Sequence, residues 1–435
     1  MTKKNTNMVA IVTMCFIFAM ISFVTNMAAP FGNIWGNKFE WSKMAGNLMN
    51  FAAYLFMGIP AGKMLAKKGY KFTAMAGIAT GFIGVLIQFL SGKVPFTDSA
   101  VVPFCVYLLG AFVCGFAVCM LNMVVNPMLN LLGGGGNRGN QLNMIGTTFN
   151  SVAGTATPML VGALIGQITN DTKVADVNLV MYIALAVFAA AFVVLSFIPI
   201  ANPDQGNTSE DIPVLAPLKF RHCLLGVIAI FMYVGIEIGI PATMNLWLAD
   251  KSGPLMTSGI DDVVKNAAGI AGMVAGTYWF LMLIGRTVGA FIGGKISSRI
   301  LMTFTTATAI LLILVGTQTT GVAAKMPVFT GSGFQMVQVP LTALLFALCG
   351  LMTSIMWPST FNLATEKLGK YTAAASGLFM VMVVGGGVLP LVQNFIADKA
   401  GYMVSYAVPV LALAYMFVYS AFLSKPPKNI DELVK

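Results

Sequence analysis

Residues 231–247, FMYVGIEIGIPATMNLW, lie within an apolar run that extends from residue 224 to residue 248. At ~1.5 Å per residue, a helix of this length crosses the ~30 Å hydrocarbon layer of a bilayer. The run nevertheless contains a carboxylate, Glu237, close to its middle. Because a carboxylate at that depth costs at least ~2.5 kcal/mol, we expect it to face a polar cavity, a cation or a partner.

A proline follows this carboxylate by four residues. Pro241 lacks an amide hydrogen, so it is predicted to interrupt the helix and to free the carbonyl of Glu237. Tyr233, Glu237, Pro241 and Asn245 recur every four residues and therefore share one helix face. This face is predicted to be the functional centre. The alternative is a protonated glutamate that is hydrogen-bonded in a packed interface.

The composition decides the class of protein. Charged residues make up 9% of the 435-residue chain and hydrophobic residues 57%, and the mean hydropathy is +0.84. These values exclude a soluble globular protein and predict a polytopic membrane protein. The net charge of +10 comes from basic residues spread over many short loops, which indicates membrane orientation and argues against nucleic acid as a partner.

Cysteine and histidine offer no metal site. The six cysteines have no close metal-ligand spacing and no loop pair suited to a disulfide, so they are interpreted as small hydrophobic residues. The single histidine, His222, lies beside Arg221 at the start of a span rather than inside it. We therefore expect neither a histidine proton relay nor a bound metal, and no cofactor.

Twelve apolar runs are predicted to span the membrane. With twelve spans both chain termini lie on one side, and the segments on that side hold about twice as many Lys and Arg residues as the opposite loops. This bias predicts a multi-pass protein of the cytoplasmic (inner) membrane with both termini in the cytoplasm. The runs lie near residues 8–30, 45–65, 72–91, 101–132, 142–168, 179–200, 224–248, 267–293, 300–315, 339–365, 372–396 and 403–423.

The chain is predicted to consist of two six-helix halves. Residues 201–219 form the longest polar segment between spans on the predicted cytoplasmic side and are rich in Asn, Asp, Ser and Pro, as expected for a linker. The predicted division is an N-terminal bundle (1–200), this cytoplasmic linker, a C-terminal bundle (220–423) and a cytoplasmic tail (424–435).

Weak internal similarity supports a duplication. Pro127 and Pro358 are 231 residues apart, and Pro158 and Pro390 are 232 residues apart. A near-constant offset is typical of a parallel repeat, so we predict an all-α fold of two pseudo-symmetric six-helix bundles. The first span also contains Asn26-Met-Ala-Ala-Pro, which matches Glu237-Ile-Gly-Ile-Pro of the seventh span.

Polar side chains inside the spans indicate what the protein binds. Asn-rich helices are not expected to face lipid, and each carboxamide carries two donors and an acceptor, which suits a neutral polyhydroxylated ligand. For any single Asn, a hydrogen bond between helices is the alternative role. The candidates are Asn26 in the first span, Asn122, Asn126 and Asn130 in the fourth, Asn143, Thr147 and Asn150 in the fifth, and Gln393 and Asn394 in the eleventh.

Aromatic and basic residues add to this site. Tyr233 and Trp357 are candidates to cover the apolar C–H face of a sugar ring, and Trp357 is favoured because it lies beside Pro358, deep in the tenth span. Arg286 is the only basic residue that lies away from the ends of a predicted span. It is predicted either to pair with Glu237 or to reach the inner interface and hold the gate there.

Other motifs exclude competing activities. The glycine run 133–136 lacks the Gly-Lys-Ser/Thr end of a phosphate-binding loop and follows no strand, so nucleotide binding is not expected. Gly385, Gly386 and Gly387 predict a flexible or closely packed segment. The spans contain no pair of carboxylates and no arrangement of nucleophile and base, which argues against an enzyme.

Several of these segments resemble a known family of transporters in sequence and order. The similarity covers nearly the whole chain and is to the fucose–galactose–glucose symporter family of the major facilitator superfamily. The motifs are GIPAGKMLAKKGYK at 58–71, Asn126-Pro127, Phe149-Asn150-Ser151, Tyr233-Val-Gly with Glu237, Gly285-Arg286-Thr-Val-Gly289, Ser354-Ile-Met-Trp-Pro358 and Gly385-Gly-Gly387.

The resemblance implies alternating access of two six-helix bundles around a central monosaccharide site, driven by a cation gradient. The chain departs from the fucose permease, because Asn122 stands where that protein carries a proton-coupling carboxylate. It also has no acidic residue between Met1 and Glu40 to match the permease's carboxylate in the first span. Glu237 instead matches a glutamate of the glucose and galactose members, so we expect it to carry the coupling ion or to bind sugar hydroxyls.

We therefore predict a monomeric secondary transporter that imports a neutral hexose or deoxyhexose with H⁺ or Na⁺, which is the only cofactor-like species expected. The alternatives are a uniporter, if Glu237 only binds sugar; a symporter of an acidic sugar such as sialic acid, if Arg286 pairs with its carboxylate; and a transport-inactive sugar receptor. The predicted partners are the sugar and the bilayer. The predicted substrate-binding residues are Asn26, Asn122, Asn126, Asn150, Tyr233, Glu237, Trp357, Gln393 and Asn394.

Overall fold

The structure of the chain is a computed structural model. It describes residues 3–36, 45–93, 100–165, 178–198, 200, 213–250, 252–258, 261–265, 267–329 and 333–430. Within these residues each of the twelve predicted spans lies largely on helix, and the predicted all-α membrane fold is confirmed. Within the described ranges, ten helices or helix pairs are long and apolar enough to cross a membrane.

The helices of the first half follow the predicted runs. The second helix contains two predicted spans and is kinked at Gly69, where φ is 81°. Only glycine adopts this backbone conformation without strain. These helices are α1 (Lys3–Gly36), α2 (Ala45–Ser91), α3 (Val101–Leu132), α4 (Gly136–Ile165) and α5 (Asn178–Phe197).

The second half contains more short elements, because its tenth, eleventh and twelfth spans are each broken. The eleventh breaks between Met382 and Gly385, where the predicted glycine segment begins. The helices are α6 (Arg221–Ala249), α7 (Asp261–Lys265), α8 (Ala267–Ile292), α9 (Ser298–Gln318), α10 (Leu341–Thr353), α11 (Met356–Ala364), α12 (Thr372–Met382), α13 (Gly385–Ala400), α14 (Tyr402–Ser405) and α15 (Ala407–Val418). Two 3₁₀ turns (Ala216–Lys219 and Gly369–Tyr371) and a π-turn (Tyr419–Leu423) complete it.

The interruption predicted at Pro241 is wrong. Helix α6 continues through this residue from Arg221 to Ala249. A proline removes one backbone hydrogen bond, but neighbouring helices and local adjustments compensate in membrane helices, so the helix is not broken. Tyr233 and Glu237 therefore lie on one continuous helix.

The structure contains a β-hairpin between α9 and α10 that was not predicted. Strands β1 (Ala323–Phe329) and β2 (Phe334–Pro340) pair antiparallel, with Ala323 opposite Pro340. The amide of Leu341, which begins α10, donates to the carbonyl of Val322 and ties the hairpin to the helix.

The two halves meet through closely packed helices. Helix α2 contacts α12 at Gly58, where a Cβ would lie 2.7 Å from the backbone nitrogen of Val381, so only glycine allows this approach. Helix α4 of the first half likewise packs on α8 of the second. In a six-plus-six repeat, the second span corresponds to the eighth and the fifth to the eleventh, so these two contacts are equivalent by pseudo-symmetry.

Residues at equivalent positions of the predicted repeat meet each other. Trp357 Nε1 donates to Asn126 Oδ1 at 2.8 Å, and Asn130 Nδ2 donates to Asn362 Oδ1 at 3.1 Å. The members of each pair are 231 or 232 residues apart, as are the repeated prolines. The boundaries of the domains stay a prediction, because linker residues 201–212 and tail residues 431–435 lie outside the described residues.

Candidate functional site

An ion pair lies at the centre of the second half. Arg286 Nη2 on α8 lies 3.0 Å from Glu237 Oε1 on α6, and the two side chains are 8% and 16% exposed. Taking either charge out of water alone is expensive, so each stabilises the other in this environment. The structure thus brings together the only carboxylate and the only basic residue that lie deep in predicted spans.

The same guanidinium also reaches the first half. Arg286 Nη1 donates to Ser151 Oγ at 2.6 Å and lies 3.5 Å from the carbonyl oxygen of Thr147, both on α4. Arg286 therefore connects Glu237 to the opposite bundle. The structure shows its predicted pairing with Glu237, whereas its role at a gate stays a prediction. Ser151 was not predicted as a site residue, although it continues the four-residue spacing of Asn143 and Thr147.

Two aromatic rings lie beside the ion pair. Tyr233, fully buried and one turn before Glu237, has its ring centroid 6.0 Å from that of Trp357, with the rings inclined at 52°. Trp357 is only partly buried and bonds to Asn126 across the bundle interface. The indole thus has a fixed orientation and retains exposed surface, which are the properties needed to cover a sugar face.

Polar contacts continue from Trp357 into the first half. The side chain of Asn126 is fully buried, and its Nδ2 donates to the backbone oxygen of Asn122 at 2.9 Å. Asn122 Nδ2 donates in turn to the Tyr54 hydroxyl at 3.1 Å. Tyr54 was missed from the sequence, because a tyrosine among apolar residues of α2 gave no signal.

Four other candidates lie apart from this group or cannot be placed. Asn150 Nδ2 donates to the carbonyl of Phe18 at 3.0 Å, so it joins α4 to α1 within the first half. Asn394 Oδ1 accepts from Thr243 at 3.3 Å, which joins α13 to α6. Gln393 on α13 is buried against Gly239, which also lies on α6. The side chain of Asn26 lies outside the described residues.

Asn143 is a residue whose surroundings suggest a ligand. It is fully buried on α4, one turn before Thr147, and neither polar atom of its amide has a hydrogen-bond partner within the part of the chain that is described. A buried polar group without a partner costs ~1–3 kcal/mol, and such groups occur often at functional sites. The sequence analysis named Asn143 among the polar candidates of its span, but did not include it in the predicted substrate-binding residues.

A cluster of uncharged polar groups closes the bundle interface towards one end. Ser298 Oγ accepts from Asn140 at 2.8 Å and from Asn362 at 3.0 Å, while Gln141 donates to the carbonyl of Ala290 at 2.9 Å. Together with Asn130, these residues form the amide cluster. It joins the start of α4 to the end of α8 and the start of α9.

Proteins that are similar to this chain in sequence are named as transporters of glucose and galactose or of fucose. No family model matches the chain. The glucose/galactose transporter of Brucella abortus biovar 1 (strain 9-941) is 27% identical over 429 residues, which cover 96% of this chain and 94% of that protein. The L-fucose-proton symporter of Escherichia coli (strain K12) is 24% identical over 408 residues, or 87% of this chain and 84% of that protein.

A solved structure of a major facilitator superfamily transporter, FucP, in the outward conformation superimposes with a TM-score of 0.77. The match is 18% identical in sequence and covers 97% of this chain and 100% of that chain. These comparisons confirm the predicted fold and the predicted resemblance to the fucose–galactose–glucose symporter family.

The ion pair makes a testable prediction about stability. Glu237→Gln and Arg286→Met should each lower the thermal unfolding temperature, because removal of one partner leaves the other charge buried, at ~3–5 kcal/mol. The unfolding temperature of the double variant should fall by much less than the sum of the falls in the two single variants. Thermal unfolding in detergent measures all three.

The matched control is Arg299 and Glu366, an ion pair whose side chains are 28% and 35% exposed. Arg299→Met and Glu366→Gln should each lower the unfolding temperature less, because water reaches this half-buried pair and solvates the charge that is left. If the falls in unfolding temperature for Glu237→Gln and Arg286→Met add up fully in the double variant, the assigned pairing is contradicted.

Proposed function

We propose that this member of the fucose–galactose–glucose symporter family is a cation-coupled transporter of a neutral monosaccharide, a hexose or deoxyhexose. The observation that carries the proposal is the buried Arg286–Glu237 pair at a bundle interface that also holds amide groups and a partly exposed indole. The protein is a multi-pass membrane protein, not an enzyme. We place it in the cytoplasmic membrane with both termini inside, as the distribution of basic residues favours.

The charge balance of the site favours a neutral substrate. Arg286 is compensated by Glu237 at 3.0 Å, so the pair presents no net charge to a ligand. An acidic sugar such as sialic acid would have to displace Glu237 from Arg286 and leave that carboxylate buried without its partner. Neutral sugar hydroxyls need only donors and acceptors, which the neighbouring amides supply.

Three kinds of groups support sugar recognition. Asn122 and Asn126 lie in the chain of hydrogen bonds that ends at Trp357, and a hydroxyl can exchange for one of these bonds. Asn143 offers a donor and an acceptor in a buried position on the same bundle interface. The rings of Trp357 and Tyr233 supply apolar surface for the C–H face of the sugar.

Coupling follows from the double contact of Arg286. While Glu237 is ionised, it holds the guanidinium in the orientation that also binds Ser151 and Thr147 of the first half. A proton or sodium ion at Glu237 cancels its charge and weakens this hold. The guanidinium is then free to leave α4, and the closed interface separates more readily when both cation and sugar are bound.

The conformation fits this cycle. The amide cluster and the α2–α12 contact gather at the end that carries residues 136–141 and 290–298, which is the end predicted to be cytoplasmic. We therefore assign the conformation as outward-facing. In it, Arg286 and the amide cluster hold the cytoplasmic side shut.

Transport in proteoliposomes tests the proposal. The wild-type protein should accumulate one sugar of a labelled hexose panel when a proton or sodium gradient is imposed, with acidic sugars competing weakly. Glu237→Gln should abolish accumulation but retain exchange of sugar across the membrane, because the coupling charge is removed while the hydrogen-bonding shape is kept. The readout is the ratio of internal to external label at steady state.

Three results would contradict the proposal. If the wild-type protein only equilibrates sugar under both gradients and Glu237→Gln loses sugar binding, the protein is a uniporter and Glu237 is a sugar ligand. If acidic sugars alone compete, the neutral-substrate proposal fails. Binding without any transport would identify a receptor.

Asn143 gives an independent test of the sugar site. Asn143→Leu should leave the unfolding temperature unchanged or raise it, because the amide has no described partner to lose. The same change should reduce sugar affinity at least tenfold, since a lost hydrogen bond to a ligand in a buried site is worth ~1.5 kcal/mol or more. Thermal unfolding and equilibrium sugar binding measure the two effects.

The control is Asn140→Leu, one turn earlier on α4. Asn140 donates to Ser298, so its replacement should lower the unfolding temperature and spare the affinity of the outward-facing site. Destabilisation by Asn143→Leu together with unchanged affinity would show that Asn143 is a packing residue.

A further inference from the structure

The β-hairpin between α9 and α10 has two unlike faces. Opposite residues of an antiparallel pair point to the same side, and the register places Met326 opposite Val337 on one side. Met326, Val328 and Val339 on this side are at most 2% exposed. This face packs on α8 and α10, so the position of the hairpin is fixed by burial of its inner side.

The outer face is apolar towards the turn and polar towards the base. Phe334 and Met336 are 56% and 64% exposed, and Pro327 lies opposite Met336. Two residues closer to the helices, Lys325 and Gln338 form an exposed pair on the same face. An exposed apolar tip above a polar base is the pattern of an element that inserts shallowly into a membrane surface.

The apolar tip is continuous with the lipid-facing side of α8. The Phe334 ring lies 5.3 Å from the ring of Phe280, centroid to centroid. Ile284 and Phe291 lie on the same side of α8, four and eleven residues further along, and are 38% and 74% exposed. Because this part of α8 is a membrane span, its exposed apolar side faces hydrocarbon.

We propose that the outer face of the hairpin binds the outer leaflet of the bilayer, with Phe334 and Met336 among the upper acyl chains and Lys325 at the level of the lipid head groups. The turn of the hairpin does not reach deeper into the hydrocarbon layer. A two-stranded sheet has two open edges, and their backbone groups require water or head groups as hydrogen-bond partners.

Lipid fits this surface better than a second copy of the chain. Stable protein interfaces bury ~1,200–2,000 Å² in total, whereas the apolar part of this face, as far as its side chains are described, is confined to Pro327, Phe334 and Met336. A lipid surface needs no matching partner shape and already covers the adjoining side of α8. The hairpin thereby anchors the outer ends of α9 and α10 to the bilayer surface.

Spin-label accessibility in liposomes tests this proposal independently of the transported substrate. The full chain carries Met336→Cys or, as the matched control, Gln338→Cys, which lies on the same face two residues closer to the base. Cys105 is replaced by serine, since it is the one exposed native cysteine and the other five are buried. Collision rates with oxygen, which concentrates in lipid, and with a water-soluble nickel chelate are compared at each site.

The expected result at residue 336 is an oxygen collision rate several-fold above that of the nickel chelate, with the ratio reversed at residue 338. Dominance of the nickel chelate at both sites would place the hairpin in water and overturn the proposal. Low collision rates for both reagents with dipolar broadening between labels would identify a second copy as the occupant, which also overturns it.

Discussion

The structure depends on one electrostatic constraint, the enclosure of opposite charges on Glu237 and Arg286 among apolar helices. Neither charge is tolerable alone at that depth, so α6 and α8 must present them to each other at 3.0 Å. The guanidinium has more donors than one carboxylate oxygen can use, and its Nη1 reaches Ser151 and Thr147 of the opposite bundle. The ion pair between Glu237 and Arg286 of the second half is thereby also in contact with the first half.

The duplicated architecture determines what surrounds this contact. Residues at equivalent positions of a repeat lie at equal distances from the pseudo-two-fold axis, so those nearest the axis meet each other. This is the physical reason why Asn126 bonds to Trp357 and Asn130 to Asn362. A ligand that binds on the axis therefore contacts both halves and senses their separation. The amide cluster uses uncharged groups, which break and re-form at lower desolvation cost than ion pairs.

Much of this could be predicted from sequence, for physical reasons that also explain the failures. Apolar runs predicted the spans because bilayer thickness fixes their length, and Glu237 stood out because isolated charges are rare there. By contrast, nothing in the sequence of an Asn-rich helix indicates which of its faces turns towards the site. Asn150 therefore turns towards Phe18, while the missed Ser151 reaches Arg286. The hairpin was missed because its strands alternate imperfectly, and continuity through Pro241 depends on tertiary packing.

The central claim is that Glu237 controls contact between the halves through Arg286. The most direct test is the distance between spin labels at Arg138→Cys and Lys295→Cys, two exposed positions at the closed end, in a Cys105→Ser background. Without sugar, the labelled protein that retains Glu237 and Ser151 should give mainly the short distance between labels that corresponds to a closed end. Addition of Glu237→Gln should shift the population towards long distances, and Ser151→Ala should shift it in the same direction. Identical distance distributions in all three proteins would contradict the claim.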